Sequence, residues 1–278
     1  MPVFESVVSR VENLLHGSLQ ENIVFLHIPK CGGTSVNQAI RSRYLAFDFR
    51  RDHDLVSLNP AASVNVIRMT NPGGFPSDTA EDFPLLKLRE NLLLYQLSRP
   101  NTKYVTGHFV FSETAYRAFA EKFAFVTILR DPCQRWVSAY YYNRYKDSDH
   151  RKVDLDIDDY LQSAFGQAQG HEYVKFLGGA NEDGDYRSRT AIDRAKRNLH
   201  KFVVVGFLEH LQQFIDEFEK RFRLRLLLKK SNENPMPYAY RKAMLTNDRV
   251  ERIKSICEPD REVYQYAIDC FLSNGSKI

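Results

Sequence analysis

The sequence predicts an α/β fold in three layers, a mainly parallel central sheet flanked by helices. Two observations carry this. Short β-branched runs alternate with segments of helical period, and helix-start residues stand at the joints between them. With 278 residues and no shift in composition along the chain, the sequence reads as one domain over 1–278.

Taken in order, the first element is amphipathic. Val3, Val7, Val11, Leu14 and Leu15 recur at helical spacing and predict a helix over 1–20 that docks on the domain. It lacks a basic leader and a continuous apolar core, so it does not read as a signal peptide. "NIVFLHI" is the first strand and "SVNQAIRSRY" its helix. A Gly/Pro loop, "TNPGGFPSDTAEDFP", precedes a helical run, "LLKLRENLLLYQL". "KYVTG" is a strand followed by the helix "SETAYRAFAEKF", which Ser112 can cap. "AFVTIL" is a strand followed by "PCQRWVSAYYYNRY", with Asp131 as cap and Pro132 as first helical residue. After the charge-dense "KDSDHRKVDLDIDDY" come the strand "FVVVGF", the helix "EHLQQFIDEFEKRF" and a further strand, "LRLLLKK". The last helix, "PDREVYQYAIDCFL", starts at Pro259.

Composition narrows the function. A formal charge of +4 suits an anionic ligand in a local pocket and gives no case for a nucleic-acid surface. No stretch approaches the roughly 20 apolar residues that span a bilayer. Cys31, Cys133, Cys257 and Cys270 lack paired spacing, so neither a zinc site nor a disulfide framework is indicated. Reduced thiols in a cytoplasmic protein are the plain expectation.

The chemistry gathers in "HIPKCGGTSV", at a strand–helix junction. A helix N-terminus offers unpaired N–H groups and a partial positive charge to an anion. Gly32 and Gly33 allow close approach, Thr34 and Ser35 can donate hydroxyl hydrogen bonds, and Lys30 can neutralise charge. The lysine precedes the glycines, which is not the Walker A order, and a simple tight turn remains the bland alternative. In "TILRDPCQRWVSAYYYNRY", Arg130 follows an apolar strand and should emerge at the ligand edge of the sheet. A structural pair with Asp131 is its alternative.

Together these segments resemble the sulfotransferases. "HIPKCGGTS" resembles their 5′-phosphosulfate loop, and "ILRDPCQRWVSAYYY" is similar to their 3′-phosphate motif. "YVTGHFVF" resembles the Gly-His segment bearing the base in the heparan sulfate 2-O-sulfotransferase branch. "VVVGFLEHLQQFI" and "LLLKKSNENP" look like later parts of the same family. The resemblance implies a P-loop-like fold and sulfuryl transfer from 3′-phosphoadenosine 5′-phosphosulfate (PAPS), leaving 3′,5′-ADP (PAP), with no metal required. Lys30, Cys31, Gly32, Gly33, Thr34 and Ser35 would then hold the phosphosulfate, and Arg130 and Ser138 the 3′-phosphate. His108 would be the general base, and Lys230 and Ser231 would close over the nucleotide. The branch often has a second histidine two positions before the base; here that position is Thr106.

The acceptor is expected to be a soluble small molecule, with residues 70–100 and 146–190 as acceptor-side insertions. Asp147, Asp149, Asp154, Asp156, Asp158 and Asp159 suggest a mouth that favours a cationic metabolite, although a solvated, helix-capping run is the commoner arrangement. A carbohydrate O-sulfotransferase, an ATP-dependent kinase and an inactive nucleotide-binding scaffold are the competing readings.

Overall fold

The protein was analysed as a computed structural model that describes residues 18–44, 54–70, 83–147, 152–228 and 244–272. Five strands form one sheet in the order β2-β3-β1-β4-β5, with every neighbouring pair parallel: β1 (Asn22–Leu26), β2 (Asp54–Ser57), β3 (Thr102–Gly107), β4 (Phe123–Leu129) and β5 (Val204–Phe207). The helices that follow β1, β3 and β4 are α1 (Gly33–Ser42), α4 (Glu113–Phe119) and α5 (Pro132–Tyr145). Between β2 and β3 lie α2 (Pro60–Thr70) and α3 (Phe83–Ser98).

The central strands read as apolar because both their faces are covered: β4 is buried at every residue and β1 at all but Asn22. Their polar side chains are satisfied within the sheet. Thr127 donates to the Leu26 carbonyl and Thr106 to the Phe25 carbonyl, each at 3.0 Å. The caps are those the sequence offers. Ser112 accepts from the Ala115 N–H, and Asp131 from the Gln134 N–H with Pro132 next in line.

Between α5 and β5 lie four helices, α6 (Ile157–Gln162), α7 (Ala164–Ala168), α8 (Glu172–Gly178) and α9 (Arg189–Leu199). After β5 come α10 (Leu211–Phe222), α11 (Asn247–Ile256) and α12 (Glu258–Ala267). Pro259 is the second residue of α12 rather than the first.

Two elements differ from expectation. The strand β2, four half-buried or exposed residues at the sheet edge, carries too weak a pattern to be read from sequence. Conversely, "LRLLLKK" is not a strand over its described residues, 224–228. Leu224 and Leu226 are buried, but the guanidinium of buried Arg43 donates to the Arg225 carbonyl at 2.7 Å, taking an acceptor a strand would use. The proposed N-terminal helix lies outside the described residues, apart from its last three. Of the region 70–100, residues 83–98 form α3, the crossover helix leading into β3.

In the acidic segment Asp156 and Asp158 follow the bland reading, and Asp149 lies outside the described residues. Asp156 caps α6, accepting from the N–H groups of Asp158 and Asp159. Asp158 pairs with Arg249 and Arg252 of α11, and those charges hold its carboxyl below the usual range. Its charge joins α6 to α11.

Candidate active site

The strand order places β1 between β3 and β4, so the chain leaves β1 toward one edge and later returns to the other side. Ligands of open parallel sheets bind at such a reversal, beyond the carboxyl ends of the strands. Here that position is occupied by residues 27–35.

Lys30 (φ 68°) and Gly32 (φ 76°) are both left-handed, and together they turn the chain from β1 into α1. At Gly32 a side chain would also meet Leu208, its Cβ standing 2.7 Å from Cδ1. Gly32 is the N-cap and offers no capping side chain, which leaves the first-turn N–H groups of α1 available to a ligand. Thr34 is exposed and Ser35 partly so. Cys31 is different: its side chain is fully buried, with Sγ 3.4 Å from the Tyr173 hydroxyl, and burial pushes its thiol up to about 11. Only its backbone belongs to the loop surface.

Positive charge converges on this loop. Arg130, at the end of β4, donates from Nη1 to the Lys30 carbonyl at 3.2 Å, while its buried Nε has no partner. The Lys30 ammonium lies 3.6 Å above the ring of Tyr142, and Lys146 approaches the same ring at 5.5 Å. Burial, then Arg130 and Lys146, push Lys30 down to about 8. Among the described residues neither Lys30 nor Arg130 has a carboxylate partner, so the turn carries positive charge that no acidic side chain there offsets. Ser138 sits on α5 one turn before Tyr142 and therefore on the same helix face. Tyr173 pins the Arg130 backbone: its hydroxyl accepts from the Arg130 N–H at 2.8 Å and donates to the Arg130 carbonyl.

On the other side of β1 stands His108, one residue past β3. Its Nδ1 is 2.7 Å from the His27 carbonyl oxygen. A carbonyl only accepts, so Nδ1 carries the proton and the lone pair of the neutral ring resides on Nε2. Arg89 of α3 donates to the His108 carbonyl at 3.0 Å and to Ser63 Oγ at 2.9 Å, fixing the backbone that carries the ring. The His27 ring lies 4.7 Å from that of His108. Burial, the His108 charge and the Lys30 charge push His27 down to about 3, so it is neutral.

The structure thus brings together Lys30, the Gly32–Ser35 turn, Arg130 and the α5 face bearing Ser138, with His108 across β1. Lys230 and Ser231 lie outside the described residues. Sequence reading missed His27, Tyr142, Lys146, Arg89 and Tyr173. The spacing of Ser138, Tyr142 and Lys146 at successive helical turns was the one signal available for the α5 residues.

Residues 18–267 match the model of the sulfotransferase family. The chain belongs to that family. It is a PAPS-dependent sulfotransferase by family, which sets aside the kinase. It is 22% identical over 283 residues to the heparin sulfate O-sulfotransferase of Drosophila melanogaster, the match covering 93% of this chain and 75% of that protein. It is 22% identical over 219 residues to the mouse heparan sulfate 2-O-sulfotransferase 1, covering 70% and 61%. With the Xenopus laevis protein of that name the identity is 27% over 157 residues, covering 50% and 43%. The match to the mouse protein therefore spans about three-fifths of that relative's length.

Proposed function

We propose that this sulfotransferase acts on a hydroxyl of a carbohydrate acceptor that carries carboxylate or sulfate groups, with His108 as the general base. The observation that carries the mechanism is the His108 Nδ1 bond to the His27 carbonyl, which leaves the basic lone pair on Nε2.

The residues present fit the donor. Two phosphate-bearing ends need two cationic or N–H-rich places, and the loop and the Arg130–Ser138 face supply them. The N–H groups of α1 with Thr34 and Ser35 would hold the phosphosulfate, Arg130 and Ser138 the 3′-phosphate, and Lys230 and Ser231 would close over the nucleotide. Bound PAPS supplies an activated sulfuryl group on a phosphate leaving group. Lys30 stabilises the charge that develops on the leaving phosphate oxygen. His108 takes the proton of the acceptor hydroxyl at Nε2. As in phosphoryl transfer, the protein's contribution is position and electrostatics rather than covalent chemistry.

We assign the acceptor to a cleft of about 560 Å³ that has Phe111 in its lining but neither His108 nor a residue of the Lys30–Ser35 turn. Lys87, Arg194, Arg197 and Lys201 also line it, against Glu90 and Glu113. Lys87 pairs with Glu90 and Lys201 with Glu113, whereas among the described residues Arg194 and Arg197 have no ion-pair partner, and Arg194 Nε is buried without one. The cleft therefore carries uncompensated positive charge. The cationic small-molecule acceptor rested on the acidic segment, whose Asp156 and Asp158 are engaged in capping and pairing.

Labelled PAPS offered with a desulfated heparan polymer, a neutral disaccharide, a phenol and agmatine tests the acceptor. Transfer to the acidic polymer is expected, with Arg194→Ala/Arg197→Ala raising its KM roughly tenfold and leaving PAP affinity unchanged. Transfer confined to the neutral or cationic acceptors would refute the reading.

A further inference from the structure

We infer that His27 is a positioning residue, its ring a spacer that sets the distance and orientation of the base His108 relative to the donor loop. Three surfaces enclose this ring. A methyl group placed on Gly33 would lie 2.2 Å from His27 Cδ2 and 2.4 Å from Nε2, so the imidazole rests directly on the Gly33 backbone. The His108 ring lies 4.7 Å away at an interplanar angle of 57°, and Phe25 stacks at 5.7 Å and 24°.

Gly33 is the first residue of α1, whose N–H groups would hold the donor in the proposed function, so one ring touches both that turn and the base. The His27 backbone makes the same connection. Its N–H donates to the Gly107 carbonyl at 3.2 Å and its carbonyl accepts from His108 Nδ1. The backbone bond sets the tautomer of His108. The His27 side chain occupies the space into which the His108 ring would otherwise rotate, and so keeps that bond made. A spacer here has to be flat, because Gly33 leaves no depth. It also has to be uncharged, because Lys30 and His108 would both oppose an imidazolium, and the His27 pKa of about 3 meets that condition. The second histidine of the base, absent at Thr106, is in this reading supplied from β1's end as a packing partner instead of a proton carrier.

The inference rests on His108 being the base, but its test needs no acceptor. The first measurement is calorimetric affinity for PAP in Gly33→Ala, His27→Ala and the double variant. Gly33→Ala should weaken PAP at least about tenfold by forcing the ring and loop apart. The double variant should return to within about threefold of His27→Ala, because the clash is gone. The second is long-range ¹H–¹⁵N correlation of the histidine rings. His108 should show the Nδ1–H tautomer alone in the parent protein and in His27→Phe, and a mixture in His27→Ala, which retains the carbonyl but not the ring. Gly33→Ala alone should shift the His108 ring resonances, which keeps the idea testable if His27→Ala does not fold. Additive effects on PAP affinity, or a His108 ring unchanged by Gly33→Ala, would overturn the inference. Normal coupling with no transfer to any polysaccharide would instead count against the acceptor assignment and leave His27 in place.

Discussion

Binding of PAP should draw a proton onto the protein near pH 8, and Lys30 is the group that takes it up. Its pKa is pushed from 10.5 to about 8 by burial and by the charges of Arg130 and Lys146. That displacement corresponds to at most about 3 kcal/mol of penalty on the charged form, at 1.36 kcal/mol per pKa unit. A phosphate at the loop opposes those same charges and restores the ammonium. At pH 8 the free protein has Lys30 about half protonated, so about half a proton should be bound per PAP; at pH 7 the figure falls to about a tenth. The phosphates of PAP have second pKa values of about 6 and contribute little at pH 8. Titration calorimetry at pH 8 in two buffers of different ionisation enthalpy measures the uptake directly. The Lys30→Met variant should bind PAP more weakly, show no uptake, and have no measurable turnover. The sign is fixed, since a cation whose pKa rises on binding takes protons from solvent. Release of protons, or uptake that persists in Lys30→Met, would refute the placement of Lys30 against the donor phosphate.

Three further outcomes follow from the site. His108→Ala should keep PAP affinity within about threefold while sulfuryl transfer falls by roughly two to four orders of magnitude, measured with labelled donor. Arg130→Ala and Ser138→Ala should weaken PAP at least about tenfold in calorimetry while adenosine 5′-phosphosulfate, which lacks the 3′-phosphate, loses little. Tyr173→Phe should lower stability by about 1–3 kcal/mol for each backbone group of Arg130 it leaves unpaired, seen as a lower urea midpoint with an unchanged slope.

How far the sequence could be read depended on whether an element's signal was local. The strands β1 and β4 declared themselves because burial on both faces makes every position apolar. α5 did so through Asp131 and Pro132. β2 did not, because Asp-Leu-Val-Ser is short and half exposed at an edge. Residues 224–228 misled because Leu224 and Leu226 pack inward as strand residues would, while a distant guanidinium, Arg43, takes the Arg225 carbonyl. The turn after β1 was legible for its glycines, and Arg130 for standing at a strand end. His27 looked like an ordinary residue before the loop. Its place beside His108 depends on the register Leu26↔Gly107, which brings together residues 81 positions apart. The acidic segment left two readings open, since composition alone does not distinguish a capping aspartate from a pocket wall, and the structure shows the capping role for Asp156.

The position of β1 has a consequence for how the chain is made. Of the described strands, the first to leave the ribosome is the middle one of the sheet, and its two neighbours, β3 and β4, are synthesised much later. The Lys30–Arg130 contact closes a loop of 100 positions, an ordering cost of about 4 kcal/mol before any constant is added. Until residue 129 has emerged, "NIVFL" has an open edge on at least one side, the kind of apolar strand that associates with other chains. Synthesis therefore passes through a vulnerable interval that ends when β4 docks. Slowing elongation within that interval should raise aggregation, and slowing it after β4 should not.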